Sequence, residues 1–245
     1  MSVRLLCALA LPMAAVPGFA DDWSVDLESG VASNVYNVFR VPGDTGTLVE
    51  LHRDYDVDPT SFTRLRITYR QNERETWSAL YAPLAFRAGG RATEDISFNG
   101  DQFAQGTPLS IEYVFNSYRL SWTRKVHDGR NVDYGFGLTA KIRDARIGLR
   151  GGGVNSVKTD LGFVPLINFF VDWDVDGRVG LVLEGEALAG PVGRAEDVQL
   201  AATYRLSDSA DFRLGFRIVE GGADVDEVFN FSQINYLSAG LTWEF

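Results

Sequence analysis

Tyr134-Gly-Phe-Gly-Leu-Thr-Ala-Lys-Ile-Arg143 sets Tyr134, Phe136, Leu138, Ala140 and Ile142 against Gly135, Gly137, Thr139, Lys141 and Arg143. A repeat of two puts each set on its own face of a β-strand, because successive side chains point to opposite sides of the pleat. One face is wholly apolar, while the other carries glycine, a hydroxyl and positive charge. Such a run is long for a soluble strand and suits a tilted crossing of a bilayer.

The same period extends in both directions. Trp23, Val25 and Leu27 alternate with Ser24, Asp26 and Glu28, and Leu65, Ile67 and Tyr69 with Arg64, Arg66 and Arg70. Tyr118, Leu120 and Trp122 oppose Arg119, Ser121 and Thr123, while Ile167, Phe169, Val171 and Trp173 share one face. Leu181 and Leu183 face away from Glu184 and Glu186, Val198 and Leu200 from Gln199, and Phe212, Leu214, Phe216 and Ile218 from Arg213, Gly215 and Arg217. Residues 76–86 are apolar on both faces, and the pattern assigns them no side.

Alternation alone does not say which face meets water. A soluble barrel turns its apolar face inward, and a membrane barrel turns it to lipid. The connections decide. Short ones at 71–74, 127–131, 174–176 and 207–210 alternate with long ones at about 33–61, 87–109, 144–161, 189–195 and 221–233. Short turns on one side and long loops on the other mark a transmembrane barrel. The expected fold is an all-β, up-and-down antiparallel barrel of about ten strands, with Leu48–Leu51 as a hairpin extension in the first outer loop. Trp23, Trp77, Trp122, Trp173 and Trp243 all fall near expected periplasmic ends, as an interfacial aromatic girdle requires.

Composition excludes other classes. The chain has 245 residues, 45% hydrophobic and 23% charged, with too much apolar content for disorder. No apolar run is long enough for a membrane helix. A net charge of −10 argues against a nucleic-acid partner. Residues 1–20 read as a signal peptide, with Arg4 ahead of an apolar core and Gly18-Phe19-Ala20 as the cleavage site. Cleavage removes the only cysteine, Cys7, so the barrel, 21–245, has no disulfide.

The terminal run Tyr236-Leu-Ser-Ala-Gly-Leu-Thr-Trp-Glu-Phe245 resembles the last strand of Gram-negative outer-membrane barrels of the porin- and OmpA-like class. Asn116-Ser-Tyr-Arg-Leu120 and Gly162-Phe-Val-Pro-Leu166 are similar to stretches of bacterial outer-membrane proteins. The resemblance implies an outer-membrane location and a role for Phe245 as the signal read by the barrel-assembly machinery. Outer-membrane lipid and lipopolysaccharide are the expected surroundings.

On the expected inward face, Glu28, Arg64, Arg66, Arg119, Lys141, Glu184, Glu186 and Arg217 gather near mid-barrel. Counted along all strands, ten basic residues and six acidic ones (Asp26, Glu28, Asp172, Glu184, Glu186, Glu244) point inward, a net-basic lumen. Two readings follow. Opposed charges can pair into a plug that fills a narrow barrel, or Arg64, Arg66, Arg119, Lys141 and Arg217 can line a small anion-preferring pore. The plug is preferred, because a small barrel leaves little room once such side chains are counted. The acid excess then sits on long outer loops, suited to surface contacts.

Catalysis finds little support. His52, in Glu50-Leu-His-Arg-Asp-Tyr-Asp-Val-Asp58, and His127, in a periplasmic turn, are the only histidines. His52 beside carboxylates resembles the outer rim of ten-stranded outer-membrane proteases, without a matching motif, so an outer-rim hydrolase using His52 is a distant alternative to a non-enzyme. Asp172-Trp-Asp-Val-Asp-Gly177 has half a calcium-loop pattern, but Leu183 stands where the bidentate Glu belongs, and Asp-Gly suits a hairpin tip. Asp54, Asp56 and Asp58, and Asp224, Asp226 and Glu227, are candidate weak cation sites bridging lipopolysaccharide. Gly151-Gly-Gly153 reads as a flexible loop tip, and no cofactor motif occurs.

Overall fold

The computed structural model describes residues 22–245, so the signal peptide expected at 1–20 lies outside them. The elements are β1 (Trp23–Arg40), β2 (Val49–Glu50), α1 (Leu51–Asp54), β3 (Asp56–Val57), β4 (Thr60–Arg70), β5 (Glu75–Ala82), β6 (Ala85–Arg91), β7 (Ile96–Phe98), β8 (Asp101–Phe103) and β9 (Pro108–Asp128). They continue with β10 (Val132–Gly151), β11 (Val154–Asp174), β12 (Val179–Gly190), β13 (Gly193–Ser207), β14 (Ala210–Val225) and β15 (Val228–Glu244).

Ten strands close a barrel in the order β1, β4, β5, β9, β10, β11, β12, β13, β14, β15 and back to β1, every neighbour antiparallel. Past a break at Pro83-Leu84, β6 carries the line of β5 further along β9. The closing seam pairs Ser24 with Glu244 at one end and Arg40 with Phe229 at the other. Beside it the Phe245 N–H donates to the Trp23 carbonyl at 2.9 Å.

The periplasmic turns fall where the pattern places them, at 71–74, 129–131, 175–178 and 208–209. At the opposite end three of the five expected long loops are corrected. Residues 144–161, 189–195 and 221–233 are mostly strand, capped by two-residue turns at 152–153, 191–192 and 226–227. Their alternation thins into glycine and charge, yet backbone pairing runs unbroken from Asp144↔Leu161 to Gly151↔Val154. Gly152 and Gly153, with φ of 57° and 83°, supply the two left-handed residues this tightest hairpin needs, so Gly151-Gly-Gly153 is a turn rather than a loose tip.

The two remaining long segments fold inward. In 41–59 the hairpin expected at Leu48–Leu51 is formed by β2, paired antiparallel to Val38 and Phe39 of β1, with Val49 and Leu51 buried, and is followed by the single turn of α1. In 92–107 the β7–β8 hairpin does the same. Val41, Val49, Leu51, Ile96, Phe98 and Phe103 join Phe39, Phe86, Ile111, Tyr113, Ile147 and Leu149 in one buried apolar cluster. It fills part of the outer half of the barrel, with Phe39 edge-on to Phe98 at 5.9 Å.

This cluster explains the outer end of residues 76–86. Trp77 and Tyr81 face outward, while Leu80, Ala82, Leu84 and Phe86 are buried inside. Leu84 and Phe86 belong to the cluster, whereas Leu80 and Ala82 stand at the level of the ionic strands, Leu80 beside Arg66 and Arg119 and Ala82 beside Ser117 in the register.

Truncating Phe98, which is fully buried, to alanine costs about 3–5 kcal/mol of local stability. Limited proteolysis of Phe98→Ala then cuts faster within 92–107 while the barrel core stays resistant. Cleavage at the native rate would mean that the segment is not held by this ring.

Candidate functional site: a charged band across the barrel

The two faces of the barrel are chemically opposite. Leu138, Phe136, Leu161, Phe163, Leu200, Leu214 and Leu237 are exposed on the outside, whereas Glu28, Arg64, Arg119, Lys141, Asp197, Gln199 and Arg217 are buried inside. A water-soluble barrel shows the reverse. Trp23, Trp77, Trp122, Trp173 and Trp243 all stand on the outward parity toward the periplasmic turns. Trp77 lies opposite both Tyr69 and Trp122, and Trp23 packs on Tyr69 at 4.9 Å.

Inside, six strands contribute to one ionic band. Arg217 on β14 reaches Asp197 of β13 at 2.6 Å, Glu184 of β12 at 3.1 Å and Glu28 of β1 at 3.3 Å, and it donates to Gln199 at 2.9 Å. Asp197 also accepts Arg119 of β9 at 2.7 Å and lies 3.5 Å from Arg64 of β4. Arg119 bridges Glu186 at 2.6 Å, and Arg213 bridges Asp26 at 2.7 Å. Arg66 grips Glu184 with both guanidinium nitrogens, at 2.8 and 3.1 Å. β4 and β12 lie five places apart in the ring of ten, so this bidentate pair spans the diameter of the barrel.

Seven of the eight expected mid-barrel charges thus meet: Glu28, Arg64, Arg66, Arg119, Glu184, Glu186 and Arg217. Lys141 stands apart. Among the described residues no carboxylate lies within ion-pair distance of it, and its Nζ sits 4.9 Å from the centre of the Phe115 ring. The sequence reading lacks Asp197, the carboxylate shared by three arginines, because it begins this strand at Val198. Parity with the inward Gln199 was the available signal. With Asp197 included, the band sets five acids (Asp26, Glu28, Glu184, Glu186 and Asp197) against five arginines (Arg64, Arg66, Arg119, Arg213 and Arg217), so the band itself is balanced.

The other candidates fall at the ends. His52 lies on α1 at the outer end, its ring 5.3 Å from that of Tyr36 and its Nδ1 accepting the Asn37 N–H at 3.4 Å. His127 is at the periplasmic end, stacked on Tyr134 at 4.9 Å. Asp176 accepts the N–H groups of Val179 and Arg178 at 2.7 and 2.9 Å, which holds its carboxyl below the usual range and marks Asp172–Gly177 as hairpin chemistry. Asp54 is engaged by Arg53 at 3.0 Å, and among the described residues no three His, Cys, Asp or Glu side chains converge on a metal position.

The architecture has solved counterparts. The outer membrane protease OmpT from Escherichia coli superposes with a TM-score of 0.56 at 11% identity, over 92% of this chain and 97% of that one. The translocator domain of the autotransporter NalP from Neisseria meningitidis gives 0.48 at 10% identity, over 93% and 90%. An outer membrane channel from Pseudomonas putida F1 gives 0.47 at 9% identity, over 93% and 97%. The chain has the fold of an outer-membrane β-barrel. The apolar outer belt agrees with that location. No protein-family model matches the sequence, and no curated protein does. At 11% identity the likeness shows the fold alone, so activity has to be read from the site.

Proposed function

We propose that this protein is a non-catalytic outer-membrane barrel whose ionic band plugs the lumen and whose outer end makes its contacts. The observation that carries the reading is the Arg66–Glu184 pair across the full diameter, tied through Arg217 to Glu28 and Asp197. Charges at that depth are stable only when paired, and pairing across the axis occupies the space through which ions would pass. The apolar cluster above the band adds a second obstruction on the side of β1, β4 and β9. The outer rim carries exposed acids, among them Asp56, Asp58, Glu94, Asp95, Asp226 and Glu227, which suit surface contacts and divalent-cation bridges to lipopolysaccharide. The five tryptophans serve as the periplasmic girdle. Phe245, hydrogen-bonded at the seam, serves as the signal for the assembly machinery. The engagement of His52 with Tyr36 and the Asn37 backbone supports a non-catalytic reading.

Single-channel recording of the refolded mature chain in a planar bilayer tests this. The wild type is expected to stay silent. The double variant Arg66→Ala/Glu184→Ala, which strands no charge from this pair, is expected to open discrete conductance steps. Steps in the wild type with an anion preference that Arg217→Glu reverses would replace the plug by a narrow channel.

A further inference from the structure

A cavity of about 610 Å³ lies on the outer side of the ionic band, between β9–β11 and β12–β15. Its size falls in the ordinary range of small-ligand sites. Its rim includes the β12–β13 and β14–β15 turns through Val192 and Glu227, so it is reached from outside the cell. Lys141 lines it and is only 4% exposed.

The cations around this cavity are not equivalent. Arg143 is bound by Asp160 and Arg194 by Glu220, and Arg146 by Glu112 at 2.6 Å. Lys141 has the Phe115 ring at 4.9 Å and, among the described residues, no carboxylate within ion-pair distance, Asp197 and Glu186 acting on it only from farther off. A ring face offsets part of the cost of burying an ammonium but accepts none of its N–H bonds conventionally. A buried charge without a direct counter-ion is expensive, and an anion seated beside it would offset that cost. The walls beside Lys141 are apolar: Tyr113, Phe115, Ile147, Val164 and Val219. Lys158 also lines the cavity without an ion pair among the described residues, but it is only half-buried. Lys141 is thus the deeply buried positive charge left without a direct counter-ion, and it suits a single negative charge on an apolar body. A dianion would carry excess charge toward Glu220 and Glu227.

We propose that this cavity binds a small amphipathic monocarboxylate, its carboxylate on the Lys141 ammonium and its hydrocarbon or aromatic part against Phe115, Val164 and Val219. The site lies outside the band, so binding does not require the lumen to be closed. Failure of the plug reading in conductance and failure of this one are separate results.

The test is calorimetric titration of the mature chain in lipid nanodiscs with hexanoate, using hexanol as the neutral probe. The wild type is expected to bind hexanoate saturably at one site per chain, and hexanol at least about tenfold more weakly, the scale of one charge-assisted contact. Lys141→Met is expected to weaken hexanoate by a similar factor, and Lys141→Arg to recover part of it. Val164→Trp, which fills the space opposite Lys141 in the register and leaves the ammonium in place, is expected to weaken binding as well. The comparison of the two probes on the wild type stands even if a variant does not fold. Hexanol binding as well as hexanoate, hexanoate binding unchanged in Lys141→Met, or no saturable site would each overturn the proposal.

Discussion

Asp197→Leu lowers the unfolding free energy of the barrel by about 3–5 kcal/mol, the usual penalty for removing one partner from a buried ionic cluster. Asp197 is 2% exposed and serves Arg217 at 2.6 Å, Arg119 at 2.7 Å and Arg64 at 3.5 Å. Its removal leaves three guanidinium groups competing for Glu28, Glu184 and Glu186. Urea unfolding of the protein in vesicles, followed by tryptophan fluorescence, reads the loss. The double variant Arg66→Leu/Glu184→Leu provides the contrast. Removing both members of a pair takes away desolvation cost together with attraction, so it is expected to cost less than Asp197→Leu. A loss below about 1 kcal/mol for Asp197→Leu would show the band to be hydrated and would count against the plug.

The second large effect belongs to the opposite face, one residue from Arg217. Phe216 points outward, with Leu200 and Leu237 beside it on the neighbouring strands, and these two are 58% and 70% exposed. Phe216→Arg places a guanidinium in hydrocarbon and costs about 2–4 kcal/mol near the bilayer midplane. The same vesicle unfolding measures it. Arg217 carries that charge at the adjacent position because four partners surround it there. A change within about 0.5 kcal/mol for Phe216→Arg would remove this stretch from the lipid-facing surface.

Strand parity was legible wherever lipid and charge imposed opposite demands on the two faces. Leu138 outside and Lys141 inside follow from alternation alone, as do the periplasmic turns and the strand number. Legibility failed where one of those demands lapsed. At 144–161 the alternation is broken by glycine and charge, so a continuous hairpin reads as a loop. At Leu84 and Phe86 the interior is apolar because remote segments come to rest there, and the local pattern carries no trace of them. Asp197 lies inside β13, but the readable alternation of that strand starts one residue later, at Val198. Lys141 shows a different limit. Its inward parity was readable, but its isolation depends on where Asp160, Glu112 and Glu220 spend their charge, which is a matter of three dimensions.

The seam between β1 and β15 dictates an order of assembly. Its two edges stand at opposite ends of the described chain, and the ionic contacts around it are as distant: Arg217 and Glu28 are 189 residues apart, and Arg213 and Asp26 are 187. Contacts with the longest intervening chain carry the greatest loop-closure entropy and come late. Until they form, β1 and β15 each expose a bare edge, and Glu28 faces water rather than Arg217. An unfinished barrel therefore needs both edges shielded from other chains. Joining them removes the last free edge and dehydrates the charges in one event, so sheet closure and ion pairing rise and fall together.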